Sequence, residues 1–86
     1  MMEVGKKYYI KQHAYYHVIG EVLEINPGEI VLKNVIQVHS SDRNWTDFFR
    51  LGIGKGTKYD VLPDGHGVRS MIDYTPWHHD IPTERK

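Results

Sequence analysis

Apolar and polar residues alternate along much of this chain, and the alternation predicts β-strands. The clearest case is residues 16–25, where each face of a strand would carry one apolar row: Ile19, Leu23 and Ile25 on one side, and Tyr16, Val18 and Val22 on the other. Side chains of a strand point to opposite faces in turn, so apolar rows on both faces are typical of a strand that curls through a barrel. Gly20 lies in the middle of this strand, and its missing Cβ could permit the bend or bulge that such curling requires.

The segment Asn26-Pro27-Gly28 predicts a tight turn directly after that strand. Pro fixes the backbone angle at the second turn position, and Gly accepts the positive φ at the third, as a type II turn needs. The return strand is predicted over residues 29–38, where four apolar residues stay in phase: Ile30, Leu32, Ile36 and Val38. We therefore expect a β-hairpin at this point of the chain.

The hydrophobic period changes between residues 41 and 52. Three aromatic residues have the i, i+3, i+4 spacing of one helix face: Trp45, Phe48 and Phe49. Asp42 or Ser41 is the predicted N-cap and Gly52 the predicted stop signal, which gives a helix of two turns at about residues 43–51. We expect the aromatic stripe to plug an open end of the barrel, although the Trp45 indole could instead line a pocket.

Three shorter strands complete the predicted sheet, at residues 7–12, 58–62 and 68–74. Branched side chains suit a pleated sheet, and the chain contains sixteen Ile and Val residues but only four Leu and one Ala. The predicted fold is therefore mainly β: a small, five-stranded, bent antiparallel barrel of the Sm-like or SH3-like kind, with one short helix.

The 86 residues leave room for one domain, which we predict to span residues 1–82. Trp77 and Ile81 should hold the C-terminal segment against the body, whereas residues 83–86 have nothing to bury and should form a flexible tail. A core this small is marginal and an open sheet has exposed edges. We therefore predict a homo-oligomer in which a neighbour covers an edge strand or the Trp77 segment.

Composition excludes several classes of function. Eleven Lys plus Arg balance eleven Asp plus Glu, so the chain lacks the positive field that draws proteins to nucleic acids, and nucleic acid is an improbable partner. The absence of cysteine excludes disulfides and thiolate metal sites, and it fits a reducing, cytoplasmic location. The longest apolar run is three residues, and residues 1–7 lack the apolar region of a signal peptide, so no membrane association is expected.

No motif in the sequence predicts catalysis, a cofactor or a metal site. The glycine-rich residues 52–57 differ from a phosphate-binding loop, because Gly56 occupies the position of the required Ser or Thr and a strand follows. His78 and His79 are adjacent, and neighbours on an extended chain point apart, so they do not easily share one ion. No residues have the spacing expected of a nucleophile and its general base. We expect a protein that is not an enzyme.

Aromatic and polar residues near the predicted strand ends and loops suggest a binding surface instead. The candidate ligand-binding residues are Tyr15, Tyr16, His17, Trp45, Lys55, Arg69, Trp77 and His78. Aromatic faces would clamp a planar base, while Lys55 and Arg69 would neutralise a phosphate. The alternative for each aromatic residue is a packing role in a thin core. The predicted ligand is a small anion such as a cyclic nucleotide.

The hairpin sequence also supports a resemblance. Residues 20–25 read Gly-Glu-Val-Leu-Glu-Ile, residues 27–35 read Pro-Gly-Glu-Ile-Val-Leu-Lys-Asn-Val, and an aromatic segment ends at Gly52. Over roughly residues 8–52 the chain resembles a group of small phage-encoded β proteins, in which strands of the patterns G-x-x-x-E and E-x-V-L-x-N are joined by a tight turn. Some phage proteins of this size are anti-defence sponges, oligomers that capture the nucleotide messengers of bacterial immunity. The resemblance implies such a role in the cytoplasm of a bacterial host, but it assigns no binding residue.

Two other functions remain open from the sequence. One is a protein-interaction module, such as an inhibitor of a host protein, that uses a sheet edge or the C-terminal residues 77–82 as its recognition strand. The other is an RNA- or single-stranded-DNA-binding barrel, against which the balanced charge counts.

Overall fold

The computed structural model of the protein describes residues 1–13 and 16–82. These residues form six strands and one helix: β1 (Lys7–His13), β2 (Tyr16–Asn26), β3 (Glu29–Ser40), α1 (Trp45–Leu51), β4 (Lys58–Leu62), β5 (His66–Val68) and β6 (Asp73–Pro76). The strands form one antiparallel sheet with the order β4-β3-β2-β1-β6, and β5 also pairs with β3. The sheet is open rather than closed into a cylinder. The predicted mainly β fold, a bent antiparallel sheet with one short helix, is confirmed.

The sheet has six strands rather than the predicted five, because the last predicted strand is two separate strands. Val68 pairs with Ile30 of β3, whereas Asp73 pairs with Lys11 of β1. The chain therefore crosses from one side of the sheet to the other within residues 69–72. The apolar period of two continues through this crossing, and so the alternation alone did not reveal the break.

The predicted hairpin turn is present between β2 and β3. Asn26 pairs with Glu29 across a two-residue loop. Gly28 has a φ of 81°, the positive value that the third position of a type II turn requires.

The bend predicted at Gly20 is also present. It is a β-bulge, and the additional residue of the bulge lies on β3 rather than on β2. The pairing of β2 with β3 shifts between Ile19 and Glu21, and opposite this point Asn34 has a φ of 51°. A Cβ on Gly20 would lie 3.2 Å from side-chain atoms of Leu32. Gly20 is therefore needed because the strands approach so closely where the sheet bends.

Both faces of the sheet are packed, but not by the complete apolar rows predicted for β2 and β3. Ile19 is buried, whereas Leu23 is 39% and Ile25 is 47% exposed. In β3 the bulge reverses the alternation, so that Ile30 and Leu32 pack on one face and Ile36 and Val38 on the other. One buried cluster contains Met2, Tyr8, Ile10, Val18, Val22, Leu32, Val35 and Val68. The other, which we call the helix-side cluster, contains Tyr9, Ile19, Ile36, Val38, Phe48 and Trp77. Both clusters draw on β1, β2 and β3, so these strands connect the packing on the two faces of the sheet.

The helix α1 lies against a face of the sheet, whereas the sequence predicted a plug in a barrel end. Phe48 is fully buried in the helix-side cluster. The N-cap is Asn44, whose Oδ1 accepts the backbone N–H of Asp47 at 2.9 Å. The predicted cap Asp42 instead accepts the N–H of Gly56 at 3.2 Å.

The helix ends where the sequence predicted. Gly52 has a φ of 85°, and its N–H donates to the carbonyl of Phe48 at 3.0 Å. This is the left-handed backbone that favours glycine after a helix.

Candidate functional site

Four rings meet where α1 lies over β1 and β2. The ring of Tyr9 lies 5.7 Å from that of Trp45 and 5.0 Å from that of Phe49. The imidazole of His17 stacks on Tyr9 at 5.6 Å and lies 5.4 Å from Trp45. Edge-to-face and stacked pairs at these separations are favourable, so the rings support one another as a preformed wall.

Trp45 differs from the other rings of this wall because 49% of the residue remains exposed. An exposed indole supported from behind by other aromatic rings is a common feature of ligand-binding surfaces, since it offers a rigid apolar face and one N–H donor. Trp45 is the aromatic residue of the predicted stripe that could line a pocket, and in the structure it lines two clefts.

A row of three polar residues crosses the sheet beside this wall. Lys11 pairs with His17 on β2 and with Asp73 on β6. Residues directly opposite in an antiparallel pair have Cβ atoms about 4.5–5.5 Å apart and project from the same face. A cation therefore lies between an imidazole and a carboxylate, on the face that also carries Tyr9.

The rings and the polar row enclose a cleft of about 190 Å³, which we call the aromatic cleft. It is lined by Tyr9, Lys11, His17, Trp45, Phe49, Asp73, Tyr74 and Thr75. Pockets for whole ligands usually measure about 300–1,000 Å³. The aromatic cleft therefore accommodates one planar ring system, with the remainder of a ligand lying outside it.

A second cleft of about 260 Å³, which we call the basic cleft, adjoins the first and shares Trp45 and His17 with it. The other residues that line it are Val38, His39, Ser40, Ser41, Arg43 and Asn44, none of them acidic. One guanidinium N–H of Arg43 donates to the carbonyl of Gly52 at 2.6 Å, which fixes the side chain. A guanidinium carries five N–H donors, so Arg43 can also contact an anion in this cleft.

Tyr9 forms the floor of the aromatic cleft, and its hydroxyl is hydrogen-bonded to Nδ1 of His17. Burial raises the pKa of Tyr9 from the ordinary value of 10.0 to about 12, because a buried phenolate would lose its hydration. The phenol is therefore neutral at physiological pH.

The stability of the protein should fall as the pH rises from about 10 to about 12, because the Tyr9 phenol has these pKa values in the unfolded and folded states. In this window the unfolded chain binds fewer protons than the folded chain, so raising the pH favours unfolding. Urea unfolding at a series of pH values measures the effect. Tyr9→Phe should make the decline shallower, because it removes the group whose pKa differs between the two states. An unchanged slope in Tyr9→Phe would contradict this explanation.

Of the predicted ligand-binding residues that the structure describes, His17 and Trp45 are the two that line the aromatic cleft. Lys55 and His78 line a different groove of about 680 Å³, next to residues 79–82. Trp77 is only 2% exposed and belongs to the helix-side cluster. These three residues are therefore not part of the aromatic cleft.

The remaining predicted residues lie elsewhere. Tyr16 packs against the cluster on the opposite face, since it is adjacent to His17 on the same strand. Arg69 pairs with Glu29 at 3.3 Å, beside the β2–β3 hairpin. Tyr15 lies outside the described residues, as do the predicted tail residues 83–86.

Several residues of the two clefts were not predicted from the sequence: Tyr9, Lys11, Arg43, Phe49 and Asp73. One local signal was available, because Tyr9 and Lys11 are two residues apart in a predicted strand and so share a face. Asp73 carried no such signal. Its position follows from the pairing of β6 with β1, which joins residues more than 60 positions apart.

Among residues 1–13 and 16–82, no group of three His, Asp or Glu residues could hold a metal ion. Over the same ranges, no helix is both long and apolar enough to span a bilayer. Comparisons with protein families, characterised proteins and solved structures found no match to this chain. The functional assignment must therefore come from the chemistry of the site.

Proposed function

We propose that this protein is a non-catalytic binder of a small planar, anionic ligand such as a nucleotide. The half-exposed Trp45 indole, backed by Tyr9 and Phe49, is the observation that carries the proposal. A ligand ring would stack on this aromatic surface inside the aromatic cleft. Stacking of one base on an aromatic side chain is worth about 1–3 kcal/mol and tolerates any base.

The charged part of the ligand would lie in the adjoining basic cleft. Arg43 offers guanidinium donors there, and Asn44 and Ser40 add polar groups at the same surface. A planar bidentate donor suits phosphate oxygens. Arg43 thus takes the role that the sequence analysis gave to Lys55 and Arg69.

Binding without turnover fits the chemistry of the aromatic cleft. Its lining contains no serine, and the whole chain contains no cysteine. Tyr9 is protonated at neutral pH, and burial raises its pKa further, to about 12, so little phenolate is present to accept a proton. These features favour holding a ligand over transforming it.

The resemblance of residues 8–52 to phage proteins supports a more specific proposal. The ligand would be a nucleotide messenger of bacterial immunity, sequestered by a phage-encoded homo-oligomer in the host cytoplasm. A sponge needs affinity and stoichiometry rather than catalysis, and a preformed aromatic wall supports affinity because little has to be ordered on binding.

The other two functions have less support from the contacts. A recognition strand at the C-terminus would need Trp77, which is buried in the core. Addition of a strand to β6 is also disfavoured, because the N–H of Tyr74 donates to Asp73 Oδ1 at 2.8 Å and Pro76 has no N–H. For nucleic acid, three surface cations are already paired with carboxylates, Lys33 with Glu21, Arg50 with Asp47 and Arg69 with Glu29.

The proposal predicts that nucleotides raise the melting temperature and quench tryptophan fluorescence. Ligand at a hundred times its Kd adds about 2.7 kcal/mol to stability. Trp45→Ala should weaken nucleotide binding by about 5- to 150-fold, the loss of one stacking contact. Leu51→Ala is the matched control, since Leu51 lies on the same helix, is 50% exposed and does not line the aromatic cleft. Absence of any effect across mono-, di- and cyclic nucleotides would exclude the proposed function.

A further inference from the structure

We propose that Asp73 makes the aromatic cleft selective for a ring with adjacent N–H donors beside a carbonyl, as in guanine, over a ring of the adenine type. The inference rests on the proposed function, because it assigns the class of ring that the same cleft accepts. It is carried by the position of Asp73 at the mouth of the cleft, paired with Lys11 on the neighbouring strand.

Backbone contacts on both sides hold Asp73 in place. Its Oδ1 accepts the N–H of Tyr74 at 2.8 Å, and the N–H of Ile72 donates to the carbonyl of Lys11 at 2.7 Å. The first bond fixes one carboxylate oxygen beside the backbone of β6, and the second fixes the backbone that precedes Asp73 to β1. A preorganised carboxylate discriminates between ligands better than a mobile one, because less of its interaction is lost to ordering.

An ionised carboxylate only accepts hydrogen bonds and has about four acceptor positions on its two oxygens. In Asp73 one of these positions is used by Tyr74, which leaves both oxygens able to accept from a ligand. Two parallel N–H donors on a ring edge satisfy this carboxylate with charge-assisted bonds, which are roughly twice as strong as neutral ones. Guanine presents such a pair at N1–H and the N2 amino group.

Lys11 supplies the complementary donor. It lies directly across from Asp73, and an ammonium group donates hydrogen bonds without accepting any. On guanine the O6 carbonyl is next to N1–H, so a cation beside the carboxylate meets the acceptor of the same edge. Lys to O6 is a recurrent contact in guanine recognition.

Adenine matches this arrangement poorly. Its corresponding edge has one donor group at N6 and an acceptor at N1, so one carboxylate oxygen would face a lone pair. A carboxylate placed to accept from two donors discriminates against a ring that supplies only one, because one charge-assisted hydrogen bond is lost. Hypoxanthine keeps N1–H and O6 but lacks the N2 amino group, and it should bind with intermediate affinity.

Titration of GMP, IMP and AMP into the full chain, followed by calorimetry and tryptophan fluorescence, tests the inference. We expect the affinity order GMP, then IMP, then AMP, with GMP and AMP differing roughly 10- to 100-fold. Asp73→Asn retains an oxygen for the Tyr74 N–H but presents one acceptor and one donor, the complement of adenine. This variant should lose the preference for GMP or reverse it toward AMP. Asp80→Asn, an exposed carboxylate in the separate groove of Lys55 and His78, is the matched control.

The outcomes separate this inference from the proposed function. Equal affinities for the three nucleotides, still reduced by Trp45→Ala, would overturn the selectivity of Asp73 and leave the aromatic cleft as the binding site. A preference for GMP that survives in Asp73→Asn would overturn the role of Asp73 in the same way. No binding of any of the three would overturn the selectivity of Asp73, and the panel of mono-, di- and cyclic nucleotides would then test the proposed function separately.

Discussion

Replacing Phe48 with alanine should lower the free energy of unfolding by about 3–5 kcal/mol, the usual cost of removing a buried aromatic ring. Phe48 is fully buried, and its ring lies 5.5 Å from Trp45 and 5.2 Å from Trp77. The Phe48 ring therefore packs the helix against both the sheet and the C-terminal segment. Small domains are typically stable by only about 5–15 kcal/mol, so this single change should remove a large share of the total.

Urea unfolding followed by circular dichroism measures this effect, with Leu51→Ala as the control on the same helix. Leu51 is 50% exposed, so its truncation should change stability by less than about 1 kcal/mol. Phe48→Ala should also weaken ligand binding, because Trp45 is positioned by the same helix. Similar unfolding midpoints for the two variants would show that the helix contributes little to the core.

Trp77→Ala should destabilise the protein by a similar amount, about 3–5 kcal/mol. Trp77 is 2% exposed, and its backbone N–H donates to the carbonyl of Lys7 at 2.9 Å, beyond the end of β6. The indole Nε1–H reaches the carbonyl of Asp80 at 3.4 Å, and the ring lies 5.2 Å from that of His79. The substitution would open a cavity under α1 and release the segment that follows.

A chain that ends at Pro76 should be destabilised further, because it also loses His79, which is hydrogen-bonded to the carbonyl of Phe49 at 2.8 Å. Thermal and urea unfolding of Trp77→Ala, the truncated chain and the exposed-neighbour control His78→Ala would measure the difference. A truncated chain with the stability of the full chain would mean that the C-terminal segment is separable. That result would restore the interpretation of this segment as a recognition strand.

The contacts described above lie within one chain, so they do not test the homo-oligomer predicted from the sequence. The open sheet ends at β4 and β6, and an open edge is a potential site of pairing. Sedimentation or native mass spectrometry of the full chain would show whether a neighbour covers such an edge. Homo-oligomerisation therefore remains a prediction, like the phage origin and the nucleotide messenger.

Local patterns predicted most of the fold because they report on a few neighbouring residues. The Pro27-Gly28 turn, the positions of β2 and β3 and the stop at Gly52 each depend on backbone preferences within one turn or strand. The N-cap was misplaced because Asp42 and Asn44 are equally good cap residues. The choice between them depended on a distant contact, because the side chain of Asp42 accepts the N–H of Gly56, 14 positions along the chain, and so does not cap the helix.

The candidate site was predicted less completely, because its residues come together only through contacts between distant parts of the chain. His17 and Trp45 were identified from residue type, but Lys55, Arg69 and His78 were grouped with them although they lie on other surfaces. Residue type indicates what a side chain can do, whereas its neighbours depend on which strands pair. Trp77 illustrates the difference, since an aromatic residue near a chain end suits either a ligand contact or a core position.

The sequence by itself determined that this protein is a mainly β domain with a tight hairpin, a short aromatic helix and apolar side chains for both faces of its sheet. The tertiary structure alone decided that residues 68–74 divide between two strands on opposite sides of the sheet, and that Asp73 pairs with Lys11 at the cleft that Trp45 also lines. Strand propensity and turn chemistry are encoded within a few residues. The pairing of strands distant in sequence is set by the packing of the whole core, which no local pattern contains.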